Sequence, residues 1–382
     1  MNNQPLISLS LSILLAALMG VVGCTAHEPV YREIPTANFA SVVDFWHQQS
    51  GLSGAQKSQY PPADILPVAE NLLLMQRNNG GWPAYHNPFR RLSDTERLQY
   101  LKDQNAKDSS FRNYNIFPQV FYLSHVYLQT GDVRYRNAAR RAIRLIMASQ
   151  VYNGGWTLQA SDQPQEGEAV LIDTATTLDA QVFLRKVAAG EIPYGYIPFD
   201  MRRQAAEAVR KGDQLLLRMQ QAYDSRLAIW ASAYRLSTSL ADAADGEAIA
   251  ALNVPLSVRV VRYLMAIKRP PAEIVRSVEG AAEWFRGNTL QRWLARQSEA
   301  STRSVTSLKS RERLPDKALW AQRYDIVSST PLHSSATGSA RTVWFGRPVD
   351  TGAWARPLLQ AELKQWRQNV VARPVSKVPE AP

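Results

Sequence analysis

The sequence predicts an all-α fold, an (α/α)3 barrel or toroid built from helical hairpins, and two observations support this prediction. Apolar residues recur at i, i+3 and i+4 along most of the chain, while strand signals are short and few. In addition, the phrase QRNNGGW at 76–82 returns as QVYNGGW at 150–156, each time after an amphipathic segment. A repeat of this length is typical of helical hairpins that stack side by side, with their loops at one end.

The periodicity predicts eight helices, which in chain order occupy 64–77, 117–130, 133–150, 176–189, 201–221, 255–268, 271–287 and 350–368. Gly131-Asp132 and Pro270-Pro271 separate two pairs of these helices and predict tight turns. A third, degraded copy of the repeat begins at Gln220, where 224–230 replaces the Gly-Gly-Trp element. The stretches 92–108 and 302–315 lack the pattern, and we expect both to be surface loops.

Each Gly-Gly-Trp element has a structural and a functional interpretation. The glycines supply the positive φ that ends a helix, and the tryptophan then packs back onto the helix ends. Aromatic residues gathered in loops at one end of a toroid also make stacking surfaces for sugars or isoprenoids. We therefore treat Trp82, Trp156 and Tyr85 as candidate substrate-binding residues, with the structural role as the alternative.

The N-terminus resembles a bacterial lipoprotein signal. An apolar run from 6 to 23 precedes Cys24, which is the only cysteine of the chain. We expect cleavage after residue 23 and lipidation of Cys24, and the following Thr25 favours sorting to the outer membrane, facing the periplasm or the cell surface. A tether at 24–50, a toroid at 51–368 and a disordered tail at 369–382 complete the predicted layout. A single lipidated cysteine leaves none for a disulfide or a thiolate metal site.

The formal net charge of +11 indicates an acidic partner. Part of this charge lies on solvated helix faces, such as the arginines around the apolar stripe of 133–146. Nucleic acid is not expected as a partner of an exported protein. A polyanionic glycan, an anionic lipid surface or another component of the cell envelope remains.

Six segments resemble the family 10 pectate lyases, in the order in which that family has them. These segments are NLLLMQRNNGGWP at 71–83, 126–150 with its TGDVRYRNAARRAI core, NGGW at 153–156, VRVVRYLMAI at 258–267 with AEIVRSVEGAAEWFR at 272–286, LWAQRYDI at 319–326, and TGAW at 351–354. The resemblance implies an (α/α)3 barrel. It also implies cleavage of polygalacturonate by β-elimination, usually with calcium, which would stabilise the charge that develops on the uronate carboxylate.

The chain departs from that family where the family binds its metal. The resemblance implies an Asp-Asn pair before the Thr-Gly-Asp helix, but the matching positions are Arg112 and Asn113. Asp108 lies four residues upstream of Arg112, and the family's second acidic motif falls at 172–174. Asp173 is therefore the remaining candidate for a metal ligand, and Asp173 and Asp108 are weak candidates for catalysis. Arg112 and Asn113 are candidates for substrate binding.

The family's catalytic arginine has no counterpart in the chain. It lies about a dozen residues before the segment that matches 257–265, yet no Lys or Arg occurs from 236 to 258. Arginine can act as a base only where a cationic, desolvated site lowers its pKa far enough for the side chain to lose its proton.

Three readings follow from these observations. The first is a degenerate, lipid-anchored relative of the pectate lyases that acts on or binds an acidic polysaccharide, with an envelope interaction scaffold as a variant. The second is an active, calcium-dependent pectate lyase. The third, a terpene-cyclase-like or prenyltransferase-like toroid, lacks an Asp-rich acid motif in the sequence and is the weakest.

Overall fold

The computed structural model describes residues 30–50, 58–165, 167, 169–244, 249–301, 317–334, 340–342 and 350–371. The expected signal peptide at 1–23, Cys24, the loop at 302–315 and most of the tail lie outside the described residues. Over the described part the chain is mainly helical, with small antiparallel sheets, and the helices make an α/α toroid.

Eleven α-helices occur among the described residues: α1 (Ala40–Ser50), α2 (Ile65–Met75), α3 (Asp94–Lys102), α4 (Phe117–Thr130), α5 (Val133–Ala148), α6 (Thr174–Ala189), α7 (Phe199–Met219), α8 (Val254–Met265), α9 (Ala272–Gly287), α10 (Leu290–Ser301) and α11 (Leu363–Val371). The pairs α4–α5, α6–α7 and α8–α9 are the helical hairpins that the sequence predicts. Gly131, at φ 72°, ends α4 as its left-handed C-cap and makes the first hairpin turn.

The hairpins place an inner and an outer helix side by side. Helices α4 and α6 are buried on most faces and carry buried polar residues such as Gln119, Ser124, Thr177 and Gln181. Helices α5 and α7 bury one apolar stripe and expose charged residues on the other side. This one-sided pattern confirms the interpretation of the arginines of α5 as a solvated face.

The two ends of the toroid differ. Helices α2, α5, α7 and α9 end, and α4, α6 and α8 begin, at what we call the loop end. This end carries the described residues of 76–116, 149–173, 220–253 and 318–352. The opposite end, here the turn end, carries the short connections 130–133, 190–198 and 266–271. The segment 30–33 also lies there, because the backbone of Arg32 exchanges two hydrogen bonds with the side chain of Gln129, at 2.6 and 3.0 Å.

Short strands order the loop end. Strands β1 (Leu171–Asp173), β4 (Ala233–Arg235) and β5 (Ala241–Asp242) form one sheet in the order β1-β4-β5. A second sheet has the order β10-β9-β8-β6, from β6 (Ala251–Asn253), β8 (Arg323–Asp325), β9 (Pro331–Ser334) and β10 (Ala340–Thr342). Two further antiparallel pairs complete the set: β2 (Ala222–Tyr223) with β3 (Arg226–Leu227), and β7 (Trp320–Ala321) with β11 (Thr351–Gly352). Since β1 and β6 run directly into α6 and α8, the sheets fix where those helices begin.

The repeated tryptophans are buried clasps. Trp82, Trp156, Trp230 and Trp320 have no exposed surface, and each indole N–H donates to a carbonyl at or near the end of a preceding outer helix, at 2.7 to 2.9 Å. The degraded third copy predicted from Gln220 is thus confirmed. Trp320 adds a fourth copy that its sequence context did not reveal.

The repeated glutamines join neighbouring repeats. The amide nitrogens of Gln76, Gln150 and Gln220 each donate to a carbonyl of their own loop and to one in the next outer helix, at 2.8 to 3.0 Å. A buried amide that satisfies two carbonyls fixes the spacing between hairpins. The repeat is therefore a device for closing the toroid.

Three sequence predictions need correction. The described part of the expected tether is not a free linker, because Ile34, Phe39 and Val42 are buried and α1 occupies Ala40–Ser50. The expected loop at 92–108 contains α3, which Ser93 begins with a capping box. The predicted helix at 350–368 begins only after Pro357, as a π-helical turn that leads into α11.

Within the described residues, no helix combines the length and the apolar character that crossing a membrane requires.

Candidate functional site

A cluster of charged side chains lies at the loop end, around the first turns of α6 and α8. Asp173 is the last residue of β1 and the N-cap of α6, and its carboxylate accepts a hydrogen bond from the backbone N–H of Thr176 at 2.6 Å. An aspartate is well suited to this position, because it satisfies a free N–H and lies at the positive end of the helix dipole. The predicted candidate Asp173 thus has a structural role as well as a charge.

The second carboxylate of the cluster belongs to Asp179. It forms an ion pair with Arg259 of α8, and 14% of its side chain is exposed against 49% for Arg259. Burial raises the pKa of Asp179 to about 6, although the charge of Arg259 and its hydrogen bond act in the opposite direction. The pair therefore carries a carboxyl group that titrates in the weakly acidic range.

Arg112 and its neighbours approach the cluster from a 3-10 turn, Arg112–Tyr114, just before α4. Asn113 and Tyr114 both have a positive φ, of 59° and 65°, which turns the backbone sharply at this point. The side-chain nitrogen of Asn113 is buried and makes no hydrogen bond. Burial raises the pKa of Tyr114, and the charge of Asp179 raises it further.

The charges alternate around Asp173. Burial raises the pKa of Asp173, whereas the N–H of Thr176 and the cationic side chains of Arg112 and Arg259 lower it. Two guanidinium groups and two carboxylates thus share one partly desolvated region. Asp179 and Asp173 also repel each other, since the charge of Asp173 raises the pKa of Asp179.

Calcium, which the resemblance implies, does not fit this set of side chains. Calcium binds six to eight oxygen ligands, of which several are usually carboxylates. The described residues contain no group of three or more His, Cys, Asp or Glu side chains placed to hold a metal. Moreover, Arg112 and Arg259 act electrostatically on Asp173. Each of these guanidinium groups places a positive charge near that carboxylate, and this charge repels a metal ion.

The predicted aromatic platform is wrong for the two tryptophans. Trp82 and Trp156 are completely buried and make structural hydrogen bonds, so neither presents a ring face to a ligand. Tyr85 is different, because 54% of its surface is exposed and its ring meets Phe45 edge-on, with the centroids 6.0 Å apart. Of the three aromatic candidates, only Tyr85 remains available for stacking.

Asp108 does not replace the missing carboxylate. Its two oxygens accept hydrogen bonds from Nε and Nη2 of the buried Arg77, both at 2.7 Å. It is not among the charges that act on Asp173; its charge instead acts on His86. Asp108 therefore neutralises the charge of Arg77 in the repeat loop and does not belong to the cluster.

His86, which follows Tyr85, is completely buried and presents no surface to a ligand. Its Nδ1 lies 3.1 Å from the carbonyl oxygen of Pro83, and its Nε2 lies 3.0 Å from Nε2 of Gln119. Burial is the main cause that lowers the pKa of His86 to about 4. His125 is half-buried and packs against Phe121.

The sequence pattern did not point to Asp179, to Tyr114 or to the pairing of Arg259 with Asp179. One signal was present, since Asp179 is the single acidic residue in the otherwise apolar and hydroxylated first half of α6. Asn253 is the N-cap of α8, in the position that Asp173 has on α6. Its side-chain nitrogen donates a hydrogen bond to Oγ of Ser232 at 3.1 Å.

The comparisons with known proteins agree with this architecture. The family model of pectic acid lyases matches residues 76–344. A family 10 polysaccharide lyase from Cellvibrio cellulosa superimposes with a TM-score of 0.57 at 19% identity, covering 87% of this chain and 98% of that one. An aspartate-to-alanine mutant of a lyase described in the same way, in complex with trigalacturonic acid, gives 0.57 at 20%, covering 78% and 92%.

No curated protein sequence matches the chain. The solved structures are similar in fold, and the family match extends over most of the toroid. Together with the ordered repeats, the match shows that the chain belongs to the pectic acid lyase family.

Proposed function

We propose that this protein is an exported, lipid-anchored member of the family that binds an acidic polysaccharide of the polygalacturonate type and has lost the family's elimination reaction. The observation behind this proposal is the cation of Arg112, which acts on Asp173 from a position where the resemblance implies a carboxylate. The calcium of the family would there be replaced by a protein side chain.

The chemistry of the cluster suits a uronate chain. Guanidinium groups bind carboxylates through paired hydrogen bonds and keep their charge at any physiological pH. Arg112 and Arg259 lie beside the N-terminus of α6, whose dipole favours negative charge. A uronate carboxylate would compete with Asp179 for Arg259, and the exposed Tyr85 offers an aromatic face at the same end of the toroid.

The elimination itself requires a base that removes the C5 proton while the C4–O bond breaks. No Lys or Arg occurs from 236 to 258, where the family's arginine would lie. Arg259 does not replace it well, because its guanidinium is engaged in an ion pair with the carboxylate of Asp179. This is the chemical argument for a binding protein.

The proposed location follows from the sequence. Cleavage after residue 23 and lipidation of Cys24 would leave the toroid anchored to the outer membrane, facing the periplasm or the cell surface. Mass spectrometry of the mature N-terminus tests this point independently of any ligand.

Two measurements on polygalacturonate test the function. The first is the absorbance of unsaturated products with and without calcium, and we expect no rise in either case. The second is retention on immobilised polygalacturonate, which we expect to persist without calcium and to weaken with salt, because it depends on partly exposed cations.

Two arginines of α8 provide a matched pair for the retention assay. Arg259→Gln removes one of the two cations of the cluster, whereas Arg262→Gln removes a cation of similar exposure that pairs with Glu362 outside it. We expect retention to fall several-fold for the first variant and to stay unchanged for the second. Equal behaviour of the two would contradict binding at the cluster.

An active, calcium-dependent pectate lyase is the alternative, favoured by the family match and the retained Asn113 and Asp173. A calcium-dependent rise in absorbance that Asp173→Asn abolishes would establish the lyase and sink the binding proposal. Asparagine is chosen because it caps a helix as aspartate does. Without lyase activity, absence of retention on polygalacturonate would instead point to the envelope scaffold.

A further inference from the structure

The turn end of the toroid exposes apolar side chains around its connections. Ile192, within the α6–α7 connection, and Phe199, the first residue of α7, are 83% and 74% exposed. Leu128 and Val133, on either side of the α4–α5 turn, are about half exposed, and Val30 is almost fully exposed. Exposed apolar residues that share one end of a protein mark a surface that contacts another apolar phase or molecule.

The two hairpin connections adjoin each other. The hydroxyl of Tyr196, between α6 and α7, lies 2.8 Å from Oγ of Ser124 on α4. Its ring meets Tyr127 edge-on with the centroids 4.9 Å apart, and its carbonyl accepts a hydrogen bond from Arg140 at 2.7 Å. The two connections therefore lie side by side at the turn end.

The position of the N-terminal segment selects the occupant of this surface. Cys24 precedes Val30 by six residues, and a chain of six residues spans at most about 20 Å. The segment 30–33 is held at the turn end by the hydrogen bonds between Arg32 and Gln129. An acyl group on Cys24 would therefore hold the turn end, and not the loop end, within about 20 Å of the lipid.

The charge of the turn end indicates how it would bind. In 30–33, 128–136, 189–203 and 265–273 there are seven Lys or Arg residues and five Asp or Glu residues, a net charge of +2. Electrostatic attraction to anionic lipid is therefore weak. Apolar insertion, at the high effective concentration that a short tether provides, contributes most of the binding.

We propose that the turn end is a membrane-docking surface, in which Ile192 and Phe199 enter the headgroup layer of the phospholipid membrane that holds the acyl anchor. The inference rests on the lipid anchor proposed above. Because α6 has 16 residues and is about 24 Å long, the charged cluster at the loop end then stands about one helix length above the membrane and faces away from it. A long polysaccharide reaches the cluster there without contact with lipid.

Since Cys24 is the only native cysteine, its acylation leaves an introduced cysteine as the single free thiol. We would place an environment-sensitive dye on Ile192→Cys and, as a matched control, on Leu240→Cys, because Leu240 is 67% exposed at the loop end. The full acylated protein is then reconstituted into phospholipid vesicles. We expect a blue shift and quenching by a lipid-borne quencher at position 192, unchanged at 0.5 M salt, and neither effect at position 240.

Each outcome decides the inference. An acylated protein whose dye at 192 reports water as strongly as the dye at 240 overturns the docking and leaves the anchor and the proposed ligand untouched. An N-terminus without acyl groups overturns the anchor and this inference together. Shielding at 192 that grows with protein concentration in the absence of vesicles would assign the surface to a second copy. Phe199→Cys is a second reporter if the first variant does not fold.

Discussion

A buried histidine gives the clearest test of how the polar interior of the loop end is built. His86 is fully buried, and its two ring nitrogens face the carbonyl of Pro83 and the amide nitrogen of Gln119. The same amide nitrogen donates to Oδ1 of Asn115 at 2.6 Å. In this arrangement the ring is neutral, with Nδ1–H donating to Pro83 and Nε2 accepting from Gln119. A second proton on the ring would break the contact with Gln119.

The pKa of His86 falls from 6.5 in the unfolded chain to about 4 in the folded protein, mainly because of burial. The unfolded state therefore binds more protons below pH 6.5, and the free energy of unfolding decreases as the pH falls from 6.5 to 4. The difference between these two pKa values corresponds to about 3.4 kcal/mol once the pH is below 4. At pH 5 the loss is about 2 kcal/mol, or about 3 °C in Tm for a domain of this size.

We expect His86→Gln to remove this part of the pH dependence. The free energy of urea unfolding is measured from pH 4.5 to 7.5 for the native protein and the variant, and the difference between their slopes isolates the histidine from other titrating groups. His125→Gln serves as control, because that ring is only half-buried and should leave most of the slope in place. A His86→Gln profile parallel to that of the native protein would refute the assigned protonation state.

Three further predictions concern the repeat and the cluster. Gly154→Ala should lower the free energy of unfolding, measured by urea titration, by about 1 kcal/mol or more beyond the effect of Gly131→Ala. Both glycines have a positive φ, but only at position 154 would the new Cβ meet a backbone atom, the carbonyl oxygen of Lys211 at 2.6 Å. Asp179→Asn should make retention on polygalacturonate stronger at pH 7.5 and nearly independent of pH between 5 and 7.5. The native protein should instead gain affinity as the pH falls through about 6, because protonation of Asp179 then frees the charge of Arg259 for the ligand. Arg112→Asp should create calcium binding that calorimetry detects, since it restores the carboxylate that the resemblance implies at this position. The absence of a heat of binding would contradict our account of the metal site.

The sequence predicted the helices well where burial is one-sided or continuous. The helices at 117–130 and 133–150 match α4 and α5 closely, because an apolar stripe and a Gly-Asp turn define them locally. The segment 92–108 was harder, since α3 buries no residue fully and carries no stripe to detect. Its capping box, Ser93 with Glu96, was the readable signal.

The candidate site was only partly predictable. Asp173 was found because the family motif points to it, and its role as an N-cap also follows from an aspartate placed just before a helical pattern. The pairing of Asp179 with Arg259 joins residues 80 positions apart, and only the packing of α6 against α8 brings them together. The burial of Trp82 and Trp156 has the same cause, since it depends on helices that close over them.

The contrast between the clasps and the cluster has a physical reason. A clasp tryptophan satisfies a helix-end carbonyl in the interior, so replacing it leaves a cavity and costs several kcal/mol in stability. A charged residue at the mouth of the toroid has little such constraint, and its replacement changes chemistry more than stability. Arg112 stands where the resemblance implies an aspartate, and under the proposed function this cation would favour a bound anion where the family binds a cation. In the function proposed above, the same scaffold would hold uronate carboxylates directly, and Asp179, whose pKa burial raises to about 6, would set how strongly it competes with them for Arg259.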